Sequence, residues 1–260
     1  MSDGDKNLES KKAFFLFTDK KTEKWLGDRI SEQEYEAFFL KDHANVLDVL
    51  HHYDDSILFI NTLEQVRNFD VMHFVNSIKA NVLSPGTAVG VIVPSDCGEG
   101  NVADCTDFNI SIANDKGSLQ CDQTLGRILG ILDEQNARGR RRYIRVRCAS
   151  DYHATFSIKR KGKIMNGYIN DISSAGMMAS FNDACHWGAD TYFHDLQLRL
   201  FGTTCNLSGR VMGSHSGDRK NWVILFDYTD ASAEKQKVQS FISQMLRREF
   251  QENLETILPN

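Results

Sequence analysis

The sequence predicts two domains of different class: an α/β domain with a five-stranded, mainly parallel sheet, then an all-β antiparallel domain closed by a C-terminal helix. Three observations carry this. Apolar runs of strand length alternate with helical patterns through the first half, which is how a sheet covered on both faces is written. From residue 143 the hydrophobic period changes to two, and no helical pattern intervenes until residue 233. The charge also changes sign: residues 1–137 hold 12 Lys/Arg against 23 Asp/Glu, whereas residues 138–260 hold 18 against 12. An asymmetry of that size marks domains with different partners. The expected division is a disordered tail over 1–11, an α/β domain over 12–136, an arginine-rich linker over 137–142, a β domain over 143–231 and a helix over 232–254.

In the first domain the strands are AFFLF (13–17), YEAFFL (35–40), SILFINTL (56–63), TAVGVIV (87–93) and FNISIA (108–113). Helical spacing appears at Asn45–Tyr53, at Phe69–Ala80 and at Leu125–Leu132, where Leu125, Ile128, Leu129 and Leu132 form an i, i+3, i+4, i+7 stripe. SDCGEGNVADC (95–105) carries turn residues and little periodicity, so a helix there is expected to be shortened. His51 and His52 stand at a helix C-terminus, where imidazole meets the negative end of the dipole; a structural role is expected.

In the second domain Ile144, Val146 and Cys148 alternate with Tyr143, Arg145 and Arg147, giving one apolar and one cationic face. Strand signals follow at 153–160, 163–171, 176–181, 191–201, 206–214 and 221–229, with Trp222 and Phe226 read as core. Residues 233–250 read as an amphipathic helix with Val238, Phe241, Ile242, Met245 and Leu246 on one stripe.

Composition narrows the function. With 41% apolar and 25% charged residues the chain is globular. No apolar run approaches the roughly 20 residues of a membrane span, and MSDGDKNLESKK has no secretory h-region, so a cytoplasmic protein is expected. The six cysteines show no CxxC and fit no zinc module; reduced thiols and no metal site are expected, Cys185, His186 and His194 included. No Gly-rich phosphate loop or nucleophile motif points to an enzyme, and no cofactor is implied.

RGRRRYIRVR (138–147) is then the feature to explain, with six arginines in a chain of net charge −5. A solvated linker, a nucleic-acid anchor and a cradle for a phosphorylated small ligand each fit a charge run alone. The acidic first half, at −11 by the counts above, and the lack of aromatics interleaved with the arginines argue against nucleic acid.

Two resemblances sharpen this. The spacing of strands over 12–136 resembles the response-regulator receiver fold. Receivers place an acidic pair after strand one, an acceptor aspartate after strand three and a lysine after strand five. Here those places hold Thr18-Asp19, Asn61 and Asn114-Asp115 with Lys116 beyond, so a pseudo-receiver without phosphotransfer is expected. In the second half Arg141-x-x-x-Arg145, preceded by Arg140, is followed 26 residues after Arg145 by Asp171-Ile172-Ser173-Ser174-Ala175-Gly176. This pairing is similar to the RxxxR and [D/N]xSxxG signature of the PilZ domain. The resemblance covers about 138–250 and implies a six-stranded barrel that binds cyclic di-GMP, with Arg140, Arg141, Arg145, Asp171, Ser173 and Gly176 as its site. The chemistry agrees: guanidinium groups fork onto phosphate oxygens and stack on bases, a carboxylate accepts from guanine's adjacent N–H donors, and glycine permits close backbone approach. Arg138, Arg142 and Arg147 are read as solvent or steering charges. The expected function is a non-enzymatic cyclic di-GMP effector whose ligand reorganises the two domains and so controls an unidentified protein partner, with motility, adhesion or polysaccharide output. A PilZ-type interaction module without ligand and a nucleic-acid-binding regulator are the alternatives.

Overall fold

A computed structural model of the chain describes residues 10–53, 55–63, 70–81, 86–94, 105–112, 119–139, 141–148, 154–160, 162–188, 191–214, 219–229 and 231–258. The chain forms two compact units, residues 1–142 together with 247–260, and residues 143–246.

The first unit contains β1 (Lys12–Leu16), α1 (Lys20–Glu32), β2 (Glu36–Leu40), α2 (Val46–His52), β3 (Ile57–Asn61), α3 (Val71–Asn81), β4 (Ala88–Pro94), β5 (Phe108–Ile112) and α4 (Asp122–Glu134). All five strands pair in parallel in the order β2-β1-β3-β4-β5, the flavodoxin-like doubly wound arrangement. β1 and β3 are almost wholly buried, which is why they read as unbroken apolar runs. On one face Phe15 stacks on Phe59 at 4.6 Å and joins Leu26 and Ile30 of α1 and Ile128 and Leu132 of α4 in one core.

Apolar periodicity marks every strand of this unit and three of its helices, but not α1. Its buried face is Thr22, Leu26, Gly27 and Ile30, only two of them strongly apolar. Its start is nonetheless a defined cap: Asp19 accepts from the N–H groups of Lys21 and Thr22 at 2.8 and 3.1 Å. The shortened helix expected at 95–105 lies outside the described residues except at Cys105. His51, at the exposed end of α2, contacts the Asn81 carbonyl oxygen at 2.9 Å through Nε2, a structural contact.

The second unit contains β6 (Arg145–Arg147), β7 (Ala154–Arg160), β8 (Lys163–Ser173), β9 (Gly176–Phe181), β10 (Tyr192–Leu200), β11 (Thr203–Ser214), β12 (Asn221–Asp227) and most of α5 (Ser232–Ile257). Every pairing is antiparallel, in the order β8-β7-β10-β11-β12-β9, and β9 returns to β8, so six strands close a barrel. β6 adds to β8 alongside. Closure leaves no free edge in the ring. Ile144, Val146 and Cys148 are buried in the barrel core while Tyr143, Arg145 and Arg147 are exposed, as the alternation predicts. Trp222 is core and Phe226 packs partly buried against it. Val238, Phe241 and Ile242 of α5 belong to the same core, with Met245 and Leu246 beside it.

α5 runs to Ile257, past the expected end of the helix at 254. Its last part belongs to the first unit, where Phe250 packs on Phe38, Phe14 and Tyr53 with ring centroids at 4.6, 5.7 and 6.0 Å. Among the described residues no helix is long and apolar enough to cross a membrane.

Candidate ligand-binding site

The site grows from two antiparallel pairings. β6 meets β8 in the register Arg145↔Ser173, Val146↔Ile172 and Arg147↔Asp171. β8 turns through Ser174 and Ala175 into β9, with Ser173 opposite Gly176 and Asp171 opposite Met178. A register shift between Ile169 and Asp171 gives β8 one extra residue there. Such bulges re-aim side chains, and here Asp171 and Ser173 share the outward face with Arg145 and Arg147.

Arg145 Nη1 lies 3.5 Å from Asp171 Oδ1, with the arginine side chain 54% exposed and the carboxylate 14%. So exposed a pair contributes little to stability. What it does is hold a guanidinium beside a carboxylate on an open surface. Ser173 is buried; its Oγ donates to the Gly176 carbonyl at 3.2 Å and accepts from Ala175 N–H at 3.3 Å, closing the turn. At Gly176 a Cβ would stand 2.4 Å from the Ile224 carbonyl oxygen and 3.1 Å from Leu225 Cα. The glycine is required because the β12 backbone passes directly against it.

Arg145, Asp171, Ser173 and Gly176 are therefore brought together. Arg141 is exposed and falls in the first unit, and Arg140 lies outside the described residues. Arg138 has a partner in that unit: its guanidinium lies over the Tyr35 ring at 4.6 Å and 4.0 Å from Asp133. Burial and then a hydrogen bond to Asp133 push the Tyr35 hydroxyl up to about 12. The arginine run thus begins with an anchored residue, not a freely solvated one.

At the receiver-like positions Asp19 caps α1, and Asn61 is buried, its Nδ2 donating to the Phe17 carbonyl at 2.8 Å and its Oδ1 accepting from Leu63 N–H at 3.1 Å. The amide ties the ends of β1 and β3 together. Asn114, Asp115 and Lys116 lie outside the described residues.

A second concavity, of about 490 Å³, opens on the outer face of β7, β10 and β11, lined among others by Lys159, Tyr192, His194, Asp195, Asn206 and Asp227. Asp227 accepts from Thr229 Oγ1 at 2.5 Å and from Tyr192 Oη at 2.7 Å. These bonds hold its carboxyl down at about 2. Nothing in the strand pattern singles this group out, because strand pairing brings Tyr192 to Asp227 across 35 positions of sequence. Among the described residues no cluster of His, Cys, Asp or Glu is arranged to hold a metal ion.

No family model and no curated protein matches the chain. Solved structures do match its C-terminal part. The PilZ domain with c-di-GMP of YcgR from Escherichia coli aligns at 16% identity and a TM-score of 0.37, over 45% of this chain and 98% of that one. YcgR in complex with c-di-GMP aligns at 18% and 0.37, over 45% and 50%. The Bacillus subtilis inhibitor of motility MotI/DgrA aligns at 16% and 0.34, over 44% and 52%. The alignment thus spans about half of YcgR and of MotI/DgrA.

Proposed function

We propose that the second unit is a PilZ-type receptor for cyclic di-GMP and that the protein is a non-enzymatic effector of that messenger. The observation that carries the reading is the β6–β8–β9 register, which sets Arg145 and Asp171 3.5 Å apart on the outer face next to Gly176. A forked cation for a phosphodiester and a carboxylate for a guanine edge are two contacts this ligand needs, and Gly176 lets β9 and β12 close up beside them. Arg140 and Arg141 supply further cation from the segment before the barrel, and the engagement of that segment by the ligand is the signal passed to a protein partner.

Calorimetry on the full chain with cyclic di-GMP, with GMP and cyclic di-AMP as controls, tests the reading. Hydrogen bonds to charged groups contribute about 1.5–3 kcal/mol each, so Arg145→Ala or Arg141→Ala weakens binding roughly ten- to a hundredfold. A parent protein that ignores cyclic di-GMP, or variants that bind as tightly as the parent, overturns it.

A further inference from the structure

The strand register carries the candidate site further than its sequence signature does. Gly176 of β9 stands opposite Leu225 of β12, and Leu225 stands opposite Arg210 of β11. With Arg145↔Ser173 and Ser173↔Gly176, one outward row runs Arg145, Ser173, Gly176, Leu225, Arg210 across five strands. The row below runs Arg147, Asp171, Met178, Val223, Gly213. β11 is itself bulged between Val211 and Gly213, which extrudes Met212 without a partner on β12 and leaves it 53% exposed.

Met178, Val223, Leu225 and Met212 therefore form an outward apolar platform, with Leu225 39% exposed and Met178 and Val223 half-buried. Outward positions of a solvated barrel are ordinarily polar, so four apolar ones together call for an occupant. Charge frames the platform on both sides: Arg145, Arg147 and Asp171 along one edge, the exposed Arg210 along the other. Four strand spacings of about 4.8 Å separate the backbones of Arg145 and Arg210, roughly 19 Å along the surface. Each guanidinium sits in the field of a carboxylate at its own rim, Arg145 beside Asp171 and Arg210 with Asp227.

We infer that this platform seats a purine face of the cyclic dinucleotide and that Arg210 is a second guanidinium contact at its far rim; the inference rests on the cyclic di-GMP reading above. A flat heteroaromatic ring is the occupant the surface fits. Thioethers make favourable contacts with aromatic rings and adapt to their position. Leu225 Cδ2 lies over Gly176, 3.2 Å from where a Cβ would stand, so the floor there is apolar, and cations at opposite rims match a ligand with two separate phosphodiesters.

The test is calorimetry of cyclic di-GMP on the full chain, comparing the parent with Arg210→Ala, Leu225→Asp and, as a charge control on another outer face, Arg199→Ala. Arg210→Ala and Leu225→Asp are expected to weaken binding at least tenfold and Arg199→Ala less than twofold. Peroxide oxidation of Met212 in the parent, followed by mass spectrometry, supplies a readout that needs no variant to fold: saturating ligand is expected to slow it severalfold. If the parent binds and Arg145→Ala is impaired, while Arg210→Ala and Leu225→Asp bind like the parent, the platform is no part of the site and the motif reading stands alone. Unchanged Met212 oxidation in the liganded parent likewise overturns the inference and points to a protein-docking patch. A parent that does not bind removes both.

Discussion

Replacing Asn61 by aspartate sets a carboxylate at the end of β3, and the structure says what this does to stability. The amide is 3% exposed, and its Nδ2 donates to the Phe17 carbonyl at 2.8 Å while Oδ1 accepts from Leu63 N–H at 3.1 Å. In Asn61→Asp the second bond survives, but the first becomes oxygen facing oxygen. Leaving the Phe17 carbonyl unpaired costs about 1–3 kcal/mol. Burying the new charge raises its pKa in the folded state by roughly two units, about 3 kcal/mol more. The expected loss at pH 7 is therefore about 4–6 kcal/mol. The sign of the pH dependence follows. A carboxyl whose folded pKa lies above its unfolded value of about 3.9 imposes the smaller penalty below pH 4, where its protonated form donates to Phe17 as the amide did. The penalty grows between about pH 4 and 6 and is flat above. Urea denaturation of parent and variant from pH 4 to 8 reads this, with hydrogen exchange at the β3 amides reporting the first unit. A loss below about 1 kcal/mol at pH 7, or one that does not change between pH 4 and pH 7, would refute the assigned role of Asn61.

Gly176→Ala sets a methyl against the Ile224 carbonyl, which belongs to a ladder and cannot swing away; a loss of about 1–3 kcal/mol is expected in barrel stability, and an unchanged urea midpoint would count against the close approach of β12. Phe250→Ala removes a ring that is 3% exposed and should cost about 3–5 kcal/mol, appearing as earlier exchange of the β1 and β2 amides; unaltered exchange there would refute its place in that core. Thr124 hydrogen bonds lower the pKa of Cys121, whereas burial raises Cys185 and pushes Cys205 up to about 11. Iodoacetamide at pH 7.5 should therefore modify Cys121 well before either; equal rates, by peptide mapping, contradict the assigned environments.

Much of this architecture can be read from the chain alone because its cores are written in local periodicity. β1 and β3 are buried on both faces and so are continuous in Phe, Leu and Ile. β6 shows one face and hides the other, so its arginines alternate with Ile, Val and Cys. What is not local is lost. α1 buries Thr22 and Gly27, which carry no hydrophobic signal, so only the Asp19 cap betrays it. The end of α5 is polar in sequence save for Phe250, Leu254 and Ile257, and what Phe250 packs against lies more than 190 residues earlier. For the candidate site, DxSxxG is short-range and legible, as is the RxxxR that precedes it. The neighbours Leu225 and Arg210 are fixed only by barrel closure, which no spacing along the chain announces. Met212 is extruded by a bulge that strand periodicity alone does not foretell.

The use of residues 247–258 to complete the first core bears on how the protein is made. The ribosome must add about 110 residues after Arg142 before Phe250 exists, some 5–20 s at ordinary elongation rates. Through that interval Phe14 and Phe38 await their last neighbour, while every strand of the barrel has already been synthesised. The segment translated first is thus the last to be finished, and a domain boundary drawn at the arginine run for expression would cut away part of its hydrophobic interior.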